Sequence, residues 1–349
     1  MLVVAEGYAP QFVKRVDPAS GKLEARLEPL PPLPSDARQI IRGRVIGPDR
    51  QPIVGASVAP SFAYYLDGTG ISTSEGVDRI SITNSRGEFL LLSKKPLKAV
   101  SLWTTAPGFV TRNLDQAPVG GDPIEIRMII GATVRGRVME DGRPRSGVAV
   151  GLVQVDRRMD KFVGDYSIGT DENGYFFFNN VAPGFEYYIY GIMDSFRDRN
   201  RVIEARKITV GADNSRLDAG ELTVSKGCRI RGHVQLSDGA AIPPDTRLLL
   251  SREGAWDTQF VVLDEQGRFE FAGAPRETIS LVLRIKGYRY SRANPNYDSL
   301  RGCLMGTIDG DVNDLLLLME PGEHKFESDA NHVSPAEKPF RSVSRPAAP

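Results

Sequence analysis

Ile41-Arg42-Gly43-Arg44-Val45 decides the fold, because the chain repeats it. It returns as Val134-Arg135-Gly136-Arg137-Val138 and again as Ile230-Arg231-Gly232-His233-Val234. The copies stand about 95 residues apart, the length of one β-sandwich. After each copy comes a polar turn that runs into an aromatic strand. The three turns read Asn84-Ser85-Arg86-Gly87-Glu88-Phe89, Asp171-Glu172-Asn173-Gly174-Tyr175-Phe176 and Asp264-Glu265-Gln266-Gly267-Arg268-Phe269. Glycine supplies the positive φ of a tight hairpin, and the flanking Asn and Asp tolerate turn geometry.

A third recurring element is a strand that ends in glycine and a large residue. Trp103-Thr104-Thr105-Ala106-Pro107-Gly108-Phe109 matches Val282-Leu283-Arg284-Ile285-Lys286-Gly287-Tyr288, and Tyr190-Gly191-Ile192 holds the middle place. The opening phrase, Val3-Val4-Ala5-Glu6-Gly7-Tyr8, is the same element once more. Behind it, residues 21–27 correspond to 122–128, a terminal strand of alternating pattern. The repeats divide the chain into residues 1–29, the back half of a sandwich repeat, and 30–36, a Pro-rich linker. Complete units follow over 37–131, 132–225 and 226–322, and the tail 323–349 is expected to be disordered. Gly131 to Gly136 and Gly227 to Gly232 join the units without a spacer, which predicts a stiff rod. The half repeat would expose sheet edges and so invite pairing with another chain.

With 35 glycines and 24 prolines, turn-formers favour many short strands over long helices. Lys plus Arg and Asp plus Glu both total 44, and this balance argues against capture of nucleic acid or anionic membrane. No apolar run is long enough to span a bilayer. The opening residues do not read as a secretory leader, for they carry no charged n-region followed by an apolar core and a small-residue cleavage site.

On these residues the chain resembles the carboxypeptidase regulatory-like domain, a transthyretin-like seven-stranded Greek-key sandwich. That family reads G-x-V, P-x-x-G-A-x-V, a D-x-x-G-x-F hairpin, V-x-P-G-x-Y and a strand ending G-Y. Unit one supplies Gly43, Val45, Pro52, Gly55, Ala56, Val58, Gly87 and Phe89. Unit two supplies Gly136, Val138, Pro144, Gly147, Val150, Asp171, Gly174, Phe176, Val181, Pro183, Gly184 and Tyr188. Unit three keeps Gly232, Val234, Asp264, Gly267, Phe269, Gly287 and Tyr288, but has Ile242-Pro243-Pro244-Asp245 where P-x-x-G-A should stand. The resemblance implies an all-β chain of tandem transthyretin-like or immunoglobulin-like sandwiches. It carries over no catalytic residue and no cofactor, because the motif is made of turns and core positions.

Chemistry-bearing residues are sparse. His233, His324 and His332 form no zinc-binding pair, and no Ser or Cys sits in a nucleophile motif, so no catalytic site is expected. Asp309, Asp311, Asn313 and Glu320 match positions of a calcium loop, although Asp314 stands where its glycine belongs. A turn feeding a last strand at Leu315 to Leu318 competes with that reading. Cys228 and Cys303 could pair in an oxidising compartment, and their spacing in sequence leaves this open. Sugar stacking would use Trp103, Trp256, Tyr64 and Tyr65, against core or loop packing as the plainer role. The charge cluster Arg197 to Arg201 reads as solvated loop. The chain thus reads as a non-catalytic spacer, adhesion or protein-interaction module of a secreted or envelope-associated protein. The alternatives are a polysaccharide-binding module, or the accessory part of a larger secreted hydrolase.

Overall fold

The computed structural model describes residues 2–5, 7–13, 24–72, 76–158, 162, 164–197, 199–323 and 335–341. The anchor stretch is a central strand in each unit, over Ile40–Ile46, Ala132–Glu140 and Cys228–Leu236. It pairs antiparallel with the aromatic hairpin strand, at Glu88–Leu92, Tyr175–Val181 and Arg268–Ala274. On its other side it pairs parallel with the closing strand, at Ile124–Arg127, Arg216–Lys226 and Val312–Pro321.

The anchor glycine is required by this arrangement. A Cβ on Gly43, Gly136 or Gly232 would fall within 2.8 Å of the ring of Phe89, Phe176 or Phe269 respectively. The aromatic of the hairpin motif therefore fills the space that the anchor glycine leaves empty. The hairpin glycines lock the same pair of strands. Gly87, Gly174 and Gly267 have φ of 73, 77 and 72°, and their carbonyls accept from the N–H groups of Val45, Val138 and Val234 at 2.8–2.9 Å. Two sequence motifs are thus one interlocked element.

A second sheet closes each sandwich. It runs Gly70–Ser72, Ser57–Tyr65, Leu97–Thr105, Arg112–Pro118 in unit one. In unit two it runs Asp165–Gly169, Ala149–Gln154, Glu186–Gly191, Arg206–Thr209. In unit three it runs Thr258–Val262, Arg247–Arg252, Thr278–Leu283, Cys303–Thr307, Tyr297–Asp298. Alternating side chains from the two sheets form a separate core in each unit, around Val45, Val138 and Val234.

A buried threonine stitches the P-x-x-G turn in the first two units. Thr83 Oγ1 accepts from Ala56 N at 2.8 Å and donates to Ile53 O, and Thr170 Oγ1 does the same between Val148 N and Arg145 O. Unit three has Leu263 at that position, and Thr246 Oγ1 instead binds Pro243 O at 2.6 Å.

Two expectations need correction. Residues 24–27 of the opening half repeat lie outside any strand, and 14–23 fall outside the described residues. What forms is a short antiparallel pair, Leu2–Val3 with Gln11–Phe12, plus a bridge from Tyr8 to Pro29. In the complete units the closing strand is held by the anchor strand, and among the described residues no such strand lies beside 24–27. The tail is also not uniformly free: Pro335–Arg341 folds back on unit three and buries Phe340 in its core. The rest of the expected tail, 324–334 and 342–349, lies outside the described residues. Among the described residues, no helix is long and apolar enough to cross a membrane.

Candidate functional site

Buried charge, among the described residues, is confined to Arg252, Asp257 and Asp298 of unit three. Asp298 caps its own turn, accepting from Leu300 N and Arg301 N at 3.1 Å. The other two sit where unit three meets unit two. Arg252 ends the strand Arg247–Arg252, and its side chain is fully covered. Nη2 lies 2.5 Å from Glu277 Oε1 and Nε lies 3.0 Å from Oε2, a bidentate pair. Nη1 is 3.6 Å from Asp257 Oδ2, and the guanidinium lies over the Tyr190 ring at 5.3 Å.

All three charged groups reach across to the backbone of unit two. Arg252 donates to Gly191 O at 2.9 Å and to Ile203 O at 3.3 Å. Asp257 accepts from Met193 N at 2.8 Å, and Glu277 accepts from Ala205 N. Met193, in a short 3-10 turn of unit two, inserts its side chain into the core of unit three. Burial raises the carboxyl of Asp257 above its ordinary range, against the lowering pull of Met193 N–H and Arg252. Burial, with Asp257 nearby, pushes the Tyr190 hydroxyl up to about 12.

The periphery of the joint is aromatic and cationic. Trp256, 53% exposed, packs against Phe162 with centroids 4.8 Å apart, and Arg157 lies 5.6 Å from its ring. Arg157 also donates to Gly254 O at 2.8 Å, and Tyr190 donates to Trp256 O at 3.4 Å. Trp256 is therefore a joint residue, covered on one side by unit two. Asn200 belongs to the joint as well: its side chain accepts from Gly273 N and its carbonyl from Gly227 N. The loop read as solvated charge thus contributes contacts across units, although Arg197 remains paired with Asp194 at 2.7 Å.

The other sequence candidates lie apart from this joint. Trp103 is half-buried on its strand between Ala59 and Asn113, while Leu102, Thr104 and Ala106 face inward. Tyr64 tilts against Phe62 at 4.9 Å, and Tyr65 packs on the unit one core under Lys95. These aromatics are not brought together with Trp256.

The calcium set is dispersed. Asn313 and Glu320 stand on one extended strand, which sets them about 23 Å apart. Asp311 accepts from Arg229 N at 2.8 Å, and Glu320 pairs with Arg289 at 2.9 Å. No group of three or more His, Cys, Asp or Glu among the described residues is placed to hold a metal. Cys228 and Cys303 are free and buried, and burial pushes the Cys303 thiol up to about 12. His233 lies on the anchor strand of unit three, and His324 and His332 fall outside the described residues.

Between the opening segment and unit one lies a groove of about 820 Å³, lined by Tyr8, Phe12, Leu30, Arg42, Arg44 and Leu90. It places the N-terminal apolar residues over the outer side of the anchor strand.

No protein-family model and no curated protein matches the chain. Solved structures similar to it include the Bacillus anthracis TIE protein, at 12% identity and a TM-score of 0.23, covering 81% of this chain and 50% of that one. A streptococcal ancillary pilin matches at 11% identity and a TM-score of 0.27, covering 81% of this chain and 99% of that one. The minor pilin of Streptococcus agalactiae matches at 12% identity and a TM-score of 0.28, over 57% of this chain and 100% of that one. This chain spans half the length of the TIE protein. Scores of this size set no residue here against a functional residue there.

The charged joint escapes a reading of the sequence for a physical reason. Arg252, Asp257 and Glu277 recognise backbone carbonyls and N–H groups, which every residue carries, so no side-chain pattern in unit two announces them. The one usable signal is Arg252 itself, which falls on the inward phase of a strand after Leu248 and Leu250.

Proposed function

We propose that the chain is a non-catalytic spacer and protein-interaction module that holds sandwich units in fixed relation. The observation that carries this is the joint between units two and three. Three charged side chains of one unit satisfy four backbone groups of the other in a covered interface. Sliding or tilting at this joint would leave buried charges unpaired, at a cost of several kcal/mol. Ordinary interfaces between neighbouring domains are looser, and relative motion is the default there. A joint that forbids it suits a part whose task is to set distance and orientation.

The test is a distance distribution between spin labels at Glu172 and Glu265, equivalent exposed positions on the hairpins of units two and three. A single narrow peak is expected from the full chain. A broad distribution spanning many ångströms would overturn the spacer reading.

A further inference from the structure

The returning tail segment occupies a groove that reads like a ligand site. Thr307 N donates to Lys338 O at 2.8 Å, and Pro339 makes a parallel bridge with Thr307, so the segment adds to the sheet beside Cys303–Thr307. Asn296, 1% exposed, then grips the peptide from both sides. Its Nδ2 donates to Pro339 O at 3.2 Å and to Met305 O at 2.8 Å, while its Oδ1 accepts from Arg341 N at 2.9 Å. Phe340 inserts into the unit three core and is 9% exposed.

Gly306 makes the room. A Cβ there would meet Lys338 O at 2.8 Å and Phe340 Cδ2 at 2.9 Å, both belonging to the segment, and the end of the Asn296 side chain at 2.8 Å. A buried amide read in two directions, an aromatic anchor and a glycine cleared for a visiting backbone are the parts of a strand-addition site for an extended peptide.

We propose that unit three carries a peptide-acceptor groove, closed in cis by Lys338–Arg341, and that its partner is the same segment of a second copy of this chain. The occupant is fixed by what the groove reads: a proline that needs no N–H partner, an aromatic that fills the slot, and a residue whose N–H meets Asn296. That sequence is on the chain itself. Cis occupancy dominates in dilute solution, because a tethered segment has an effective concentration of roughly millimolar. Exchange between copies appears when the cis contact is broken. The inference goes beyond the spacer reading and does not depend on it.

The test pairs two complementary variants of the full chain. Phe340→Ala removes the anchor and leaves the groove empty, and Gly306→Val fills the groove and leaves the segment free. Each alone is expected to be monomeric. Their mixture is expected to form a one-to-one complex of twice the 38.3 kDa chain mass in analytical ultracentrifugation. A mixture that stays monomeric overturns the second copy as partner.

A labelled synthetic peptide spanning residues 335–341 reads the groove directly. It is expected to bind F340A saturably and the wild type at least tenfold more weakly. It should also restore slow hydrogen exchange to Thr307 N–H in F340A, a readout that stands even if G306V fails to fold. Equal binding to both proteins, or none to F340A, overturns the groove.

Discussion

At the first joint Gly131 lies against Asn180, where a Cβ would fall 2.4 Å from its backbone carbonyl carbon. At the second, Gly227 lies against Gly273, and a Cβ would fall 2.4 Å from its Cα. Both joints therefore begin from the same device, a glycine just before the anchor strand that lets the joint lie against the hairpin strand of the following unit. Among the described residues, only the second adds buried charge. A short joint brings neighbours close, and covered polar contacts across it add a resistance to tilting that glycine alone does not supply. Shared glycines predict similar separations; the network around Arg252 predicts different stiffness.

Breaking the network should show the largest effect. Arg252→Ala leaves Asp257 and Glu277 covered without their cation, at a cost of about 3–5 kcal/mol. Hydrogen exchange at Met193 and Ala205 N–H is expected to accelerate, while amides in unit one stay unchanged. If exchange at those two positions does not move, the network does not hold the joint.

The glycines sharpen the contrast next. Gly131→Val and Gly227→Val each push the joint off the hairpin strand of the following unit, by overpacking that costs about 1–3 kcal/mol. Spin labels at Ser85, Glu172 and Glu265 report on the two joints. The distance across the first joint should broaden more in G131V than the distance across the second does in G227V, because the Arg252 contacts still tie the latter. Equal broadening would mean that the charged network adds nothing to orientation.

Trp256→Ala probes the rim. It removes the stack on Phe162 and the cover over Arg157, together worth about 1–2 kcal/mol. A modest fall in the unfolding temperature of units two and three is expected in calorimetry, with unit one unaffected.

The smallest effect is a pH slope. Burial raises the Asp257 carboxyl in the folded state. Its protonated form is thus favoured by folding, so its stabilising contribution is complete at pH below the unfolded value of 3.8 and is lost as pH rises through the folded one. Asp257→Asn should flatten the dependence of joint stability on pH over that interval. An unchanged slope would show that Asp257 does not titrate with the joint.

Much of the fold was legible in the repeats, because the motifs are the places where only one residue type fits. Gly43, Gly136 and Gly232 must lack a side chain to admit a phenylalanine ring, and Gly87, Gly174 and Gly267 must take positive φ. Constraints of this kind act within one unit and recur with it, so they leave a visible period. The candidate site leaves none. The aromatic candidates share only their chemistry, and the structure puts Tyr64, Tyr65 and Trp103 in unit one and Trp256 at a joint some hundred and fifty residues later.

The sequence by itself determined the all-β class and the recurring anchor and hairpin strands, since turns and alternating strand faces are local properties. Only the tertiary structure decided that Arg252, Asp257 and Glu277 face the backbone of another unit, and that Phe340 returns to fill a slot beside Gly306. The physical reason is the same in both cases. Charges that look solvated and a tail that looks free acquire partners through backbone groups, and backbone groups have no letter in the sequence.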